Sequence, residues 1–278
     1  MWAEFRRRQT LASFDYQWGE LPEGEAMLSD EWLRDRVDGV LADELLGIDR
    51  GWFPGRTALD AGCGAGRWSL GLLRLGCQVT AIDASAHAVD ATAGQMQRLI
   101  PQAVAAGRFE ARRANVLDLP TDLAARRFDL VFSFGVLHHT GDTRRGLSNL
   151  ASVVAPDGVL FVYLYGARSV DRRRRLALAL ARWGLAPLPF HLKQAVLARL
   201  LPRRDTHQAF DLLSPLVNDR HDRETVVGWL GRLGFDEVTP TIEHSELFLR
   251  ACRSACSARP FRPPAARPYW FERYGHGD

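Results

Sequence analysis

Residues 57–69 read TALDAGCGAGRWS. An apolar run ends in Asp60, and three glycines follow at alternate positions, Gly62, Gly64 and Gly66. A loop of this composition lets a ligand approach the backbone closely. The run before it has the length of a buried strand, and Arg67 to Leu75 behind it reads as a helix stopped by Gly76. The loop therefore sits where a strand hands over to a helix, and its chemistry decides what it can hold.

Outward from this junction the pattern repeats. CQVTAID (77–83) is a second strand closing in Asp83, and Ala86 to Leu99 is a helix. RFEARRANVLDLP (108–120) contains a third strand and a loop, and FDLVFSFG (128–135) is a fourth strand. Thr143 to Val154 suits a helix, PDG (156–158) a turn, and VLFVYLYG (159–166) a fifth strand. This alternation predicts an α/β fold, a Rossmann-like doubly wound sheet with helices on both faces and right-handed crossovers. In such sheets ligands bind outside the carboxyl ends of the strands, where the glycine loop lies. FDEVTPTIE and ELFLRACR, close together after a helix from Arg223 to Leu233, read as an antiparallel closing hairpin.

Five segments follow from these limits. Residues 1–28, aromatic and charged without clear period, form an N-terminal arm or lid, and 29–166 form the cofactor-binding core. The core opens with a helix capped by Ser29 and stopped by Gly47. Residues 167–222 are a basic, Leu- and Ala-rich helical insertion, a substrate cap of two or three short helices. Residues 223–256 complete the core, and 257–278 are an irregular tail rich in Pro, Arg and aromatics.

At 278 residues with 46% hydrophobic and 25% charged side chains, the composition is that of an ordinary soluble domain. A net charge of +3 does not point to nucleic acid, and Lys193 is the sole lysine. Four sparse cysteines fit a reducing cytoplasm better than a disulfide framework. Cys252 and Cys256 lack a second Cys/His pair at zinc-site spacing, so no metal is expected. No run of apolar residues is long enough to span a bilayer. The run Arg172–Arg175 within 168–204 suits a substrate cap first and peripheral contact with a membrane surface second.

The loop departs from both phosphate-binding patterns. In the dinucleotide fingerprint the third glycine would stand where Arg67 is, and the triphosphate loop needs a Gly-Lys-Ser/Thr that is absent. Asp60 beside the loop would repel a pyrophosphate but not an ammonium or sulfonium group. Asp83 can accept hydrogen bonds from both hydroxyls of a ribose. A ligand with a cationic end, a ribose and no phosphate is S-adenosylmethionine.

These residues resemble the class I S-adenosylmethionine-dependent methyltransferases. LDAGCGAG is similar to their glycine motif, AIDAS to the acidic end of their second strand, and ANVLDLP to their third-strand loop. FDLVFSFGVLHHT and VVAPDGVLFVYLYG resemble their fourth and fifth strands. The five strings stand in the right order over residues 55–166, and the type most resembled acts in ubiquinone and menaquinone biosynthesis. The likeness extends to bacterial methyltransferases of secondary metabolites and glycolipids. It implies a cofactor site of Asp60, Gly62, Gly64, Gly66, Asp83, Ala84, Asn115, Val116, Ser133 and Phe134. Asp60 would hold the amino acid portion, Asp83 the ribose, Asn115 the adenine amino group and Val116 its ring. Ser133 and Phe134 would lie by the methionine portion. Asn115 stands where the family often has Asp, and its carbonyl can still accept the adenine amino hydrogen.

The chemistry implied is methyl transfer from S-adenosylmethionine to a small-molecule acceptor. His138 and His139 follow the fourth strand beside the expected methyl position, and a neutral histidine can serve as base. Either can equally shape the pocket wall or cap the next helix; His139 is the preferred candidate. Two other functions share this outline: a binding protein that kept the cofactor site without turnover, and an NAD(P)-dependent oxidoreductase of similar fold.

Overall fold

The computed structural model of the chain describes residues 1–24, 27–201, 205–263 and 268–274. Seven strands form one sheet: β1 (Thr57–Ala61), β2 (Gln78–Asp83), β3 (Phe109–Arg113), β4 (Phe128–Phe134), β5 (Val154–Leu164), β6 (Glu237–Pro240) and β7 (Leu247–Cys252). Their order is β3-β2-β1-β4-β5-β7-β6. The first five are parallel, and β7 runs antiparallel between β5 and β6. The order reverses between β1 and β4, so the carboxyl end of β1, where the glycine loop starts, is the switch point.

Twelve helices are described. Before the sheet come α1 (Trp2–Glu20) and α2 (Glu31–Gly39). Within it lie α3 (Arg67–Arg74), α4 (Ala86–Leu99), α5 (Pro101–Ala105), α6 (Thr121–Ala124) and α7 (Thr143–Ser152). The insertion is α8 (Arg172–Leu185), α9 (Phe190–Leu200) and α10 (Thr206–Leu213), followed by α11 (Arg223–Arg232) and α12 (Tyr269–Tyr274). Two clusters of buried side chains cover the two faces of the sheet. One packs Leu33, Leu41, Trp68, Leu72 and Met96 from α2 to α4 on Ala58, Leu130 and Phe132. The other packs Leu147 and Leu150 of α7 and Val226 and Leu230 of α11 on Leu59, Val131 and Leu160. Alternation along each strand sorts its residues between the two faces.

Several boundaries differ from the sequence expectation. Asp30, not Ser29, caps α2, its carboxylate accepting from Leu33 N–H at 2.9 Å. The helix then widens into a π-helical turn at Val40–Leu46 and stops at Gly47, φ +62°. PDG (156–158) is not a turn between elements. It lies inside β5, where the register against β4 shifts between Phe128 and Leu130. A Cβ on Gly158 would stand 2.8 Å from the Asp129 carbonyl, so the strand crosses this irregularity only without a side chain.

The ends of the chain are more ordered than their composition suggests. Residues 2–20 are helical, and their buried side chains are Thr10, Ser13 and Gln17. The tail is not irregular throughout: α12 docks, with Trp270 N–H donating to Glu44 at 3.1 Å and its indole 1% exposed. That ring lies 5.7 Å from both Trp68 and Phe134. Residues 264–267 and 275–278 of the tail lie outside the described residues. Because Trp270 completes the core over α3, Trp270→Ala is expected to lower stability by about 3–5 kcal/mol. The midpoint of urea unfolding, compared with the parent chain at equal slope, checks it.

Candidate active site

The glycine loop is shaped by its glycines one by one. Gly62, Gly64 and Gly66 have φ of +89°, +53° and +84°. A Cβ on Gly62 would come within 2.1 Å of Val136, and one on Gly64 within 2.7 Å of Trp18. Gly62 and Cys63 N–H both donate to the Ile82 carbonyl of β2, at 2.7 and 3.0 Å. The Gly64 carbonyl accepts from Thr92 of α4 at 2.7 Å. Asp83 completes the fixation. One carboxylate oxygen accepts Gly64 N–H at 3.1 Å and the other Ser85 N–H at 2.9 Å. The carboxylate keeps acceptor capacity beyond these bonds, and Asp83 lines a cavity of about 360 Å³. Burial raises the Asp83 carboxyl from its ordinary range, while the N–H donors of Ser85, Gly64 and Ala84 oppose the rise.

Eight of the residues expected from sequence meet this cavity: Gly62, Gly64, Asp83, Ala84, Asn115, Val116, Phe134 and His139. Asn115 does so with a constraint that its type alone does not reveal. Its side-chain carbonyl accepts Leu117 N–H at 2.9 Å, shaping its own loop, so one lone pair remains for a ligand.

Asp60, Gly66, Ser133 and His138 do not line it. Asp60 shares its face of β1 with Ala58, so its carboxylate turns under α3 and accepts from Ser69 Oγ at 2.6 Å. It is 1% exposed, and burial pushes its pKa up to about 6 against the help of Ser69 and Arg67. Gly66 begins α3, and its missing side chain makes room for Thr92 and Met96 of α4. Ser133 points to the opposite face of β4 from Phe134 and donates to the Ala61 carbonyl at 3.1 Å. His138 is fully buried and stacks on Tyr165 at 3.8 Å between ring centroids. Desolvation holds it well below the ordinary histidine range.

His139 is differently placed. Its Nδ1 lies 2.8 Å from the Val217 carbonyl, and a carbonyl can only accept. Nδ1 therefore carries the ring proton, which leaves Nε2 as a lone pair. Burial lowers the His139 pKa from 6.5, so the ring is neutral near pH 7. Phe14 packs against it at 4.9 Å between ring centroids.

The remaining wall is α1, which sequence reasoning left as an arm or lid. Arg7, Leu11, Phe14 and Trp18 recur at helical spacing and all line the cavity. The neighbouring stripe of α1 is polar and paired. Thr10 Oγ1 accepts Val217 N–H at 2.9 Å, Ser13 Oγ donates to Ser214 Oγ at 2.6 Å, and Gln9 accepts Leu216 N–H at 3.0 Å. The 4-3-4 spacing of the cavity side was the signal available, masked by a buried stripe that carries no apolar period. The segment 214–217 supplies the partners of this stripe.

Residues 59–160 match a family model described as a methyltransferase domain. Among curated proteins, the ubiquinone biosynthesis O-methyltransferase of Xanthomonas campestris is 32% identical over 170 residues, 58% of each chain. The mitochondrial ubiquinone biosynthesis O-methyltransferase of Schizosaccharomyces pombe is 34% identical over 145 residues, 51% of this chain and 50% of that protein. The chain thus spans about half the length of these curated relatives. Among solved structures, magnesium protoporphyrin IX methyltransferase from Synechocystis with bound SAH superposes with a TM-score of 0.51 at 19% identity. That match covers 90% of this chain and 97% of that one. An O-methyltransferase family protein from Burkholderia thailandensis gives 0.53 at 18% identity, over 82% and 59%. Likeness at this identity shows the fold.

The carboxyl of Asp60 gives this site a signature in stability. Its folded pKa of about 6 lies above the ordinary 3.8, so the folded state binds the proton more tightly than the unfolded one. The resulting penalty is absent below pH 3.8, grows between 3.8 and 6, and is complete above 6. Asp60→Asn should therefore stabilise the ligand-free protein at pH 8 by about 1–3 kcal/mol, and the difference should close towards pH 4. Urea unfolding of both chains at the two pH values measures it.

Proposed function

We propose that this chain, whose residues 59–160 match a methyltransferase domain, is a class I S-adenosylmethionine-dependent methyltransferase that methylates a hydroxyl group of a small, flat, largely apolar molecule. The single observation that carries the reading is Asp83. Its carboxylate, fixed by backbone N–H donors and fronting the cavity beside the glycine loop, retains acceptor capacity for a ligand.

The donor set fits the cofactor. Asp83 would accept the two ribose hydroxyls, and Gly62 and Gly64 would let the ligand lie against backbone without a Cβ between. Ala114, Val116 and Leu117 offer an apolar wall for the adenine, and the free lone pair of the Asn115 carbonyl would accept its amino hydrogen. Bound there, S-adenosylmethionine supplies the electrophilic methyl group. Asp60, turned under α3, would act on the ligand through the loop it supports and not by direct contact.

The chain's own contribution is position, dryness and a base. Leu11, Phe14, Phe134 and Val136 line the same cavity as His139 and would present an apolar wall to the acceptor. The proton on Nδ1 is held by the Val217 carbonyl, so Nε2 would take the proton of an acceptor hydroxyl as its oxygen becomes the nucleophile. The likeness to ubiquinone biosynthesis O-methyltransferases supports oxygen as the receiving atom.

Calorimetric titration should give micromolar binding of S-adenosylmethionine and S-adenosylhomocysteine, none of NAD, and loss of binding in Asp83→Ala; failure of the folded parent to bind either adenosyl ligand overturns the reading. With a phenolic or catecholic acceptor found by screening, His139→Ala is expected to lower the turnover rate by about 10²–10⁴ while leaving cofactor affinity unchanged. The acid limb of the rate profile of the parent should lie below 6.5, the ordinary histidine value, because burial lowers the His139 pKa.

A further inference from the structure

A second cavity, of about 180 Å³, lies on the other side of segment 214–220 from the site just described. Its cationic side chains come from three places: Arg6 of α1, Arg175 and Arg182 seven residues apart on α8, and Arg220 of the segment itself. Among the described residues, no carboxylate lines it. The nearest acids act from behind: Glu246 lies 3.5 Å from Arg220, and Asp211 is near Arg182. Asn218 projects into the same space, with both polar atoms of its side chain buried and unpartnered among the described residues.

Much of the donor capacity around this cavity is unused. Arg6 spends Nε and Nη2 on the Leu216 carbonyl, Arg182 spends Nε on the Leu212 carbonyl, and Arg220 spends Nη1 on the Gly166 carbonyl and Ser169 Oγ. Arg175 makes no hydrogen bond or ion pair among the described residues. Arg182 and Arg220 lie close enough to repel one another, and Arg175 stands at the exposed edge of the same cavity. A buried amide without a partner adds a desolvation cost of its own. Both costs vanish if an anion sits between them. Donors arriving from three elements surround a tetrahedral group with many acceptor oxygens better than a planar carboxylate, which takes its bonds in one plane.

We infer that Arg6, Arg175, Arg182, Arg220 and Asn218 form a binding site for a phosphate group, separate from the methyl-transfer cavity. The phosphate could belong to a free anion or to a lipid headgroup. The second source has a reason on the surface. Trp183, which lines the cavity, is 44% exposed, Leu176 and Leu180 of the same helix are 62% and 65% exposed, and Trp2 of α1 packs 6.2 Å from Trp183.

The test uses the full chain. Pyrophosphate is titrated by calorimetry against chloride of equal ionic strength, and sedimentation is followed with vesicles of phosphatidylglycerol and phosphatidylcholine against phosphatidylcholine alone. Arg175→Glu and Asn218→Ala are the site variants. Arg172→Glu, an exposed arginine of the same helix outside the cavity, is the control for diffuse charge. The expected result is binding of pyrophosphate, of anionic vesicles or of both. It should weaken at least about tenfold in Arg175→Glu, weaken clearly in Asn218→Ala, and stay near the parent in Arg172→Glu. Vesicle binding lost in Leu180→Asp, whose affinity for pyrophosphate is retained, assigns the lipid source. Pyrophosphate binding without vesicle binding assigns the free anion. Absence of both kinds of binding, or equal weakening by Arg172→Glu and Arg175→Glu, overturns the site.

Discussion

The carboxylate of Asp83 ties the glycine loop to the end of the second strand, and the rest of the site depends on that tie. A loop with three residues at positive φ has a large conformational entropy when free, so something must hold it. Asp83 does this from one side through Gly64 N–H, the Ile82 carbonyl from beneath, and Thr92 of α4 from behind. The same carboxylate begins the turn into α4 by accepting Ser85 N–H, and Ser85 then caps that helix through Ala88 N–H at 3.2 Å. One acid thus sets the loop, starts the neighbouring helix and still presents acceptor capacity to the cavity. That economy is possible because a carboxylate has two oxygens with about four lone pairs.

Behind the loop, support is aromatic and cationic. Arg67 lies 4.6 Å from the Trp68 ring centroid and 5.6 Å from those of Phe134 and Trp270. Burial lowers its pKa to about 10, and the charge of Asp60 opposes the fall. The arginine that spoils the dinucleotide fingerprint is therefore part of the core, boxed by rings from α3, β4 and α12. Asp60 and Arg67 belong to one buried arrangement. This explains how an acid next to a ligand loop can face away from the ligand and remain tied to the loop's geometry.

How much of this was legible in the sequence depends on which signal each element used. The sheet was legible because buried strands end in recognisable punctuation: Asp60 before the glycines, Asp83 before Ser85, Gly135 after Phe134. The turn of Asp60 under α3 was less visible, since a strand's parity must be counted from a residue of known direction, and Ala58 is too small to announce one. The helix of residues 2–20 was hidden for another reason: its inward stripe is Thr10, Ser13 and Gln17, which hydrogen-bond Val217, Ser214 and His207 instead of burying apolar area. Periodicity measures hydrophobic contrast, and a polar seam has none. The tail was misread for a related reason, because Trp270 docks a helix of six residues, shorter than any window in which a period can be counted.

The polar seam also reaches the candidate base. Thr10 accepts the N–H of Val217, and the carbonyl of the same residue accepts from His139. Helix α1 therefore does two things: it closes the cavity with Phe14 and Trp18, and through Thr10 it anchors Val217, the residue whose carbonyl decides which ring nitrogen of His139 carries the proton. A carbonyl free to rotate away would leave Nδ1 without its acceptor and the ring free to exchange tautomers. Closing the wall and orienting the candidate base are in this way linked through one residue, because Val217 donates its N–H outward to the helix and accepts from the imidazole at its carbonyl.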